Sequence, residues 1–252
     1  MSESNLTNLT RRQFVGKSAA AAAAVTIAPG VLLYGAAEAR NLDQPASSEV
    51  RWGMLIDTNK CEKGCNDCVS ACQTENGWGG ENSNEKLSAP EQQAQWIRKV
   101  ELKDTTTGHT QSLPVMCQHC ESAPCVDVCP TTASMKRDDG IVLVDRHLCI
   151  GCRFCMMACP YKARSFVHEA LENQRPNAPR GKGCVEACNL CVHKLDACEG
   201  ETACSVACKH GAMVVGDLND ETSEIAQQLK KHKTTQIRAD LGLNTGVRYR
   251  GI

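Results

Sequence analysis

Residues 149–160 of this 252-residue chain read Cys-Ile-Gly-Cys-Arg-Phe-Cys-Met-Met-Ala-Cys-Pro. The four cysteines are spaced C-x2-C-x2-C-x3-C with proline directly behind, which is a spacing by which thiolates hold [4Fe–4S] clusters. Three close thiolates can wrap one cluster, whereas the fourth points away and ligates a neighbouring cluster, and the proline ends the binding loop. One such run therefore predicts a second run elsewhere in the chain.

The second run lies upstream of the first. Its cysteines are Cys117, Cys120, Cys125 and Cys129. Proline again follows the last cysteine, and two extra residues separate the second cysteine from the third. Between the two runs, Asp139-Gly140 is a turn signal, and the apolar run 141–145 after it predicts a buried strand. A matching strand is predicted at 165–167, which gives the order strand, cluster loop, short helix, strand.

Two further cysteine groups enclose this pair in the sequence. The first group follows a strand-like segment, Trp52–Asp57, and consists of Cys61, Cys65, Cys68 and Cys72. It has one residue too many between its first two cysteines, and Gly64 can absorb this insertion because glycine tolerates unusual backbone angles. The last group is split by twelve residues and consists of Cys188, Cys191, Cys204 and Cys208. Cys184 and Cys198 belong to none of the four groups. They could form a disulfide with each other, act as substitute ligands or remain free thiols, and the sequence does not choose among these three roles.

The composition explains why the cysteines are so numerous. The chain has eighteen cysteines but only three Trp, three Tyr and three Phe, so aromatic side chains supply little of its core. Metal or disulfides must therefore contribute to folding. Structural zinc does not need four-cysteine runs ending in Cys-Pro, and cysteines two residues apart rarely bridge each other, so neither alternative fits as well as clusters. The net charge of −1 argues against nucleic acid as a partner.

Residues 1–39 are predicted to be a twin-arginine signal peptide. Arg11 and Arg12 precede an alanine-rich apolar stretch, 18–37, and Ala37-Glu38-Ala39 has the form of a cleavage site. This route exports folded proteins, which suits a cofactor inserted before export. We therefore expect a periplasmic protein that is peripheral on the cytoplasmic membrane and contacts it only through partners. The alternative is an uncleaved membrane anchor, although Pro29 and Gly30 interrupt the apolar stretch.

The four motifs, in this order, resemble the four-cluster electron-transfer subunits of membrane-bound oxidoreductases. Four flanking segments narrow the resemblance, namely 51–57, 116–121, 140–169 and 240–249. They are similar to the DsrO-type exported ferredoxin subunits of the Dsr membrane complex, which serves sulfite reduction or sulfur oxidation. The resemblance covers nearly all of the chain after the signal peptide.

The resemblance implies that each cluster takes three cysteines from one group and the fourth from another. The four implied ligand sets are site A (Cys61, Cys65, Cys68, Cys208), site B (Cys188, Cys191, Cys204, Cys72), site C (Cys117, Cys120, Cys125, Cys159) and site D (Cys149, Cys152, Cys155, Cys129). His119 and His147 stand beside cluster cysteines, and with a full set of cysteines we expect both to lie outside the ligand sets. Lys162 and Arg164 either offer positive charge to a reduced cluster or an acidic partner, or are solvated surface residues.

The predicted fold class is α+β, with two nested ferredoxin-like modules and loop-rich insertions. The outer module comprises 51–80 plus 181–216, the inner module comprises 113–168, and 217–252 is a C-terminal extension. The resemblance implies that the two modules together form a line of clusters through the protein.

The predicted function is that of a non-catalytic electron-transfer subunit with four [4Fe–4S] clusters. The sequence has no recognisable nucleophile, acid–base pair or nucleotide loop, so catalysis would belong to a complex. The expected partners are a quinone-interacting polytopic membrane subunit, a multihaem cytochrome c and further iron–sulfur subunits. The same role with a molybdopterin reductase or a nitrite reductase system is the first alternative. A disulfide-built secreted binding protein is a remote one.

Overall fold

A three-stranded sheet joins distant parts of the chain. Its central strand, β1 (Trp52–Asp57), pairs antiparallel with β8 (Met213–Asp217) and parallel with β9 (Val247–Arg250). Because β1 is central and almost wholly buried, its sequence is a nearly continuous apolar run and not an alternating one. The strand predicted at Trp52–Asp57 is thereby confirmed.

The computed structural model describes residues 45–79, 88–172 and 174–252. The twin-arginine signal predicted at 1–39 lies outside these residues. The described residues form one compact unit, which contains the described parts of both predicted modules. Within the described residues, no helix is long and apolar enough to cross a membrane.

An antiparallel hairpin connects the outer cysteine groups with the inner ones. It consists of β2 (Ile97–Lys103) and β3 (Thr110–Met116), which pair over their whole length. Sequence analysis assigned no strands to this part of the chain. Strand β3 ends directly before Cys117, so the hairpin fixes the start of the site C loop.

The inner cysteine runs lie between short strands and short helices. Strand β4 (Ser134–Lys136) pairs antiparallel with β5 (Val142–Val144), which confirms the strand predicted at 141–145 in a shorter form. Strand β6 (Ser165–Phe166), the predicted matching strand, pairs with β7 (Val185–Glu186) of the outer module. This pairing links the two nested modules through the backbone.

The helices of the inner module are single turns that carry predicted ligand cysteines. Helix α2 (Pro124–Asp127) contains Cys125, and α3 (Phe154–Ala158) contains Cys155. Proline at the first position of α2 suits its start, because the amide that proline lacks would have no partner there.

The outer module contributes one longer helix and two short ones. Helix α1 (Asp67–Asn76) carries Cys68 and Cys72 and ends at Gly77, whose left-handed backbone terminates it. Helices α4 (Val192–Asp196) and α5 (Ala203–Val206) follow in the last cysteine group, and α5 packs against α1.

The segment predicted as a C-terminal extension is part of this framework. Helix α6 (Glu224–Lys231) begins at the Ser223 N-cap and packs on β8, where buried Ile225 lies over Gly216. Strand β9 then completes the sheet of the outer module. The sequence predicted that residues 217–252 form a separate extension. In the structure they pack on the outer module and complete its sheet.

The core is built largely around sulfur. Trp78, Trp96 and Tyr249 are fully buried. The same core cluster includes nine of the predicted ligands, namely Cys68, Cys72, Cys117, Cys120, Cys125, Cys155, Cys159, Cys188 and Cys204. Folding of this chain is therefore coupled to whatever these thiols bind.

Candidate iron–sulfur cluster sites

Site A brings together the first cysteine group and the last cysteine of the chain. Cys61 follows a single 3-10 turn after β1, Cys68 stands in α1, and Cys208 lies between α5 and β8. The pKa of Cys68 is raised to about 11, chiefly by burial, while Lys99 acts in the opposite direction. The thiolates that raise this pKa further are Cys61, Cys208 and Cys65. All four predicted ligands are thus near neighbours.

Site B is the most deeply buried of the four. Burial is the largest cause that raises the pKa of Cys188 well above its ordinary value. The neighbouring thiolates that add to it most are Cys72, Cys204 and Cys191. The structure therefore brings the fourth ligand, Cys72 of α1, to the three cysteines of the last group.

Site C surrounds a small cavity. Its walls include all four predicted ligands, which are Cys117, Cys120, Cys125 and Cys159. The apolar side chains of Val142 and Ala163 complete part of the lining. Burial, and after it the charges of Cys125 and Cys159, raise the pKa of Cys120 to about 12.

Site D lies nearer the surface. The thiol of Cys155 is electrostatically coupled to Cys149 and Cys129, although burial contributes more to its raised pKa. Cys152, the fourth member of the set, is exposed on the loop before α3. The loop turns at Gly151, which has φ +71° and lies against the backbone oxygen of Gly183.

The four sites follow one another in a single order. Thiols of different sets also interact electrostatically, and these interactions join successive sites along the series A, B, C, D. The interacting pairs are Cys68 with Cys204, Cys188 with Cys117, and Cys125 with Cys155. Each site therefore has at least one thiol close to a thiol of the next site in the series.

The surroundings of the thiols suit anionic clusters. Hydrogen-bond donors point at sulfur atoms in every site, and such bonds stabilise cluster thiolates and set their potentials. The backbone donors are Ala212 N to Cys208 (3.3 Å), Leu190 N to Cys188 (3.4 Å), Ser134 N to Cys129 (3.3 Å) and Val185 N to Cys149 (3.4 Å). The side-chain donors include Trp78 Nε1 to Cys72 (3.2 Å), Lys99 Nζ to Cys61 (3.6 Å) and Arg164 Nη2 to Cys125 (3.1 Å).

Buried polar atoms without a partner also mark site C. The Nε and Nη1 atoms of Arg164 and the Nε2 atom of His119 are buried and accept or donate no hydrogen bond within the described residues. His119 Nδ1 accepts from Val142 N (3.1 Å), and burial lowers the pKa of His119 to about 4. The neutral ring therefore carries its proton on Nε2, as a buried donor. Buried donors of this kind beside four thiols suit the binding of an anionic group.

The two remaining cysteines are placed differently from each other. Cys184 Sγ donates to the Arg146 carbonyl (3.3 Å) and lies beside Cys149 of site D. Cys198 is exposed at the end of α4. All eighteen cysteines, each within the described ranges, are free. Among the described residues, no three His, Cys, Asp or Glu side chains converge on a position for a single metal ion.

Sequence reasoning missed the donors that come from distant segments. Lys99 stands in β2, thirty-eight residues from Cys61, and only the β2–β3 hairpin brings it to site A. Trp78 is six residues from Cys72, at the end of α1, where the sequence offered no reason to link its indole with sulfur. Of the predicted positive charges, Lys162 is exposed, whereas Arg164 is buried, which corrects the surface interpretation for Arg164.

Comparison with known proteins agrees with this geometry. Two models described as 4Fe-4S dicluster domains match the chain, one over residues 60–133 and the other over residues 109–218. The fold and the sites therefore define an iron–sulfur protein with dicluster domains. These domains cover all four cysteine groups.

Three relatives specify the class further. The chain is 37% identical to Hdr-like menaquinol oxidoreductase iron-sulfur subunit 1 of Archaeoglobus fulgidus, over 96% of this chain and 97% of that protein. It is 34% identical to a tetrathionate reductase subunit of Salmonella typhimurium, over 80% of this chain and 73% of that protein. It is 33% identical to the arsenate respiratory reductase iron-sulfur subunit ArrB of a Shewanella species, over 79% of this chain and 96% of that protein.

The chain belongs to the family of iron–sulfur electron-transfer subunits of oxidoreductase complexes. When bound, iron–sulfur clusters accept and release single electrons. The protein's own groups exclude water from the thiols of sites B and C, orient the thiols of all four sites through the short helices and loops, and direct N–H donors at the sulfur atoms. These are the levers by which a protein sets cluster potentials.

Proposed function

We propose that this chain conducts single electrons through four [4Fe–4S] clusters held at sites A to D. The observation that carries the proposal is the grouping of fifteen of the sixteen thiols into four neighbouring sets, with the exposed Cys152 on the loop of the fourth set, and with electrostatic interactions between successive sets. The donors aimed at sulfur in every site support it independently. Four ligands per cube account for all the cysteines except two.

The first experiment is a determination of iron and acid-labile sulfide per chain on anaerobically purified protein. Four clusters require about sixteen of each. EPR of the dithionite-reduced sample should show interacting [4Fe–4S] signals. About twelve of each would mean that one site is lost, and a folded protein without iron would refute the proposal.

Two cysteine variants test the ligand sets. Cys208→Ser should remove or alter the cluster of site A, because Cys208 is the distant fourth thiol of that site. Cys198→Ser is the matched control, since Cys198 is exposed and belongs to none of the sets. Equal iron content in both variants would contradict the assignment of Cys208.

The proposed partners are a quinone-interacting membrane subunit at one end of the series and a haem or iron–sulfur partner at the other. The flanking segments that resemble DsrO-type subunits favour dissimilatory sulfur metabolism. Similarity to subunits named for menaquinol oxidoreductase and tetrathionate reductase supports a quinone-linked and sulfur-related role. Purification of the intact complex in detergent tests this proposal. A polytopic subunit and a multihaem cytochrome c are the expected companions.

The alternative keeps the electron-transfer role but changes the terminal enzyme. Similarity to the arsenate respiratory reductase subunit, at nearly the same identity as to the tetrathionate reductase subunit, favours this alternative. A molybdopterin-containing subunit in the purified complex would establish it and would overturn the sulfite-related assignment.

We also propose that the protein is exported folded to the periplasm. The support is the twin arginine at Arg11 and Arg12, followed by the alanine-rich stretch. Replacing both arginines with lysine should retain the protein in the cytoplasm with its iron content unchanged. The control is Arg51→Lys, outside the signal. Unaltered fractionation of the double-lysine variant would contradict export by this route.

A further inference from the structure

Arg164 occupies a position between the two inner sites. Its Nη2 donates to the Sγ of Cys125 in site C (3.1 Å). Its guanidinium is also electrostatically coupled to Cys117 of site C and Cys155 of site D. The residue is only 6% exposed, so its charge acts where water screens little.

The guanidinium has donors to spare for both sites. The guanidinium also acts as a hydrogen-bond donor to the Cys155 thiol, and its Nε and Nη1 atoms are buried with no hydrogen-bond partner of their own within the described residues. Arginine keeps its charge when it is buried. A permanent cation with unused donors, enclosed by thiols of two sites, is placed to interact with anions bound at both.

The backbone that carries Arg164 is held in place from outside the cysteine loops. Arg98 of β2 donates to the carbonyls of Tyr161 (3.0 Å) and Lys162 (3.1 Å). Ser165, the next residue, donates from its hydroxyl to the carbonyl of Gln95 (3.1 Å). These contacts fix the backbone before and after Arg164. The position of its side chain is therefore set by β2 and its neighbours as well as by the cysteine loops.

We propose that Arg164 raises the reduction potentials of the clusters at sites C and D relative to those at sites A and B. Reduction adds one electron to an anionic cluster, and a buried cation beside it stabilises the added charge. Arg164 is thus a positioning residue that makes the inner pair the better electron acceptors of the series. The inference rests on the proposed occupation of the four sites.

The test is an EPR-monitored redox titration of Arg164→Gln and Arg164→Met, two neutral variants, beside Arg164→Lys, which keeps the charge. In the neutral variants, the equilibrium constant for one-electron reduction of each inner cluster should fall at least tenfold. This change corresponds to a reduction potential lower by about 59 mV. The other two potentials should stay unchanged. In Arg164→Lys, the potentials of the two inner clusters should stay close to those of the wild-type protein.

Lys230→Gln is the matched control, because it removes one positive charge on exposed α6, where Lys230 pairs with Glu221. All four potentials should be unchanged in this variant. Unshifted potentials in a neutral Arg164 variant with full iron would overturn the inference, as would an equal shift of all four. Loss of inner iron in both neutral variants but not in Arg164→Lys would support it, and loss in all three would indicate a merely structural role and overturn it. Wild-type protein without iron would instead refute the proposed function.

Discussion

Replacing Arg180 with methionine should weaken the fold at site B. Arg180 and Glu186 form a bidentate ion pair, with Nε to Oε2 at 2.9 Å and Nη2 to Oε1 at 2.8 Å. The third nitrogen of the guanidinium, Nη1, donates to the carbonyl of Gly77 (2.6 Å) at the end of α1. The pair therefore ties the helix that carries Cys72 to the strand that leads to Cys188.

The expected magnitude follows from burial. The side chains of Arg180 and Glu186 are 3% and 1% exposed. Removing one partner leaves a buried charge unpaired, which costs about 3–5 kcal/mol of unfolding free energy. For a domain of this size, each kcal/mol lowers Tm by roughly 2–4 °C, so the expected fall is roughly 6–20 °C. The Gly77 carbonyl also loses its donor, and iron should dissociate from site B first.

Thermal unfolding by circular dichroism, at one scan rate and under anaerobic conditions, measures the effect beside iron content. Lys230→Met is the control, because its ion pair with Glu221 is 61% and 84% exposed and should contribute less than about 1 kcal/mol. The double variant Arg180→Met with Glu186→Met should recover part of the loss, since it removes the unpaired carboxylate, while the loss that remains includes the attraction between Glu186 and Arg146. A fall in Tm no larger for Arg180→Met than for the control would refute this reasoning.

Three further predictions concern the sites themselves. Trp78→Phe removes the N–H donor to Cys72 Sγ and should lower one of the four cluster potentials; a redox titration in which none changes would contradict this. Gly151→Ala places a side chain against a backbone oxygen at φ +71° and should cost iron at site D, whereas Gly108→Ala, at φ +72° in open space, should keep full iron by colorimetric assay. Because burial raises the pKa of Cys117 to about 12, cluster insertion must displace its proton, so reconstitution followed by absorbance should be more complete at about pH 8.5 than at about pH 6.5; equal yields would count against this.

The strands next to the cysteine runs could be predicted from local sequence. Strand β1 and strand β5 are short apolar runs beside turn or loop signals, and strong local patterns of this kind survive folding. The β2–β3 hairpin was missed although its turn, 104–109, contains Asp104 and Gly108, which are residues typical of turns. The position of β9 in the sheet could not be predicted from local sequence, because its pairing with β1 joins residues about two hundred positions apart.

The same contrast between local and distant information holds for the cluster sites. The cysteine groups could be predicted from sequence, whereas the side chains that interact with the thiols could not. Cysteine spacing is a local pattern, and it predicted the four cysteine groups. The resemblance to four-cluster subunits implied how cysteines of different groups combine, and the structure brings these sets together at sites A, B and C. The difference between Lys162 and Arg164 is not local. Both are basic, they stand two residues apart, and a regular strand would direct them to the same side. Lys162 has a left-handed backbone with φ +51°, which breaks that alternation, and the hydrogen bonds from Arg98 fix the result. One basic side chain is therefore exposed while the other lies between two cluster sites, and only tertiary structure decides which of them acts on the clusters.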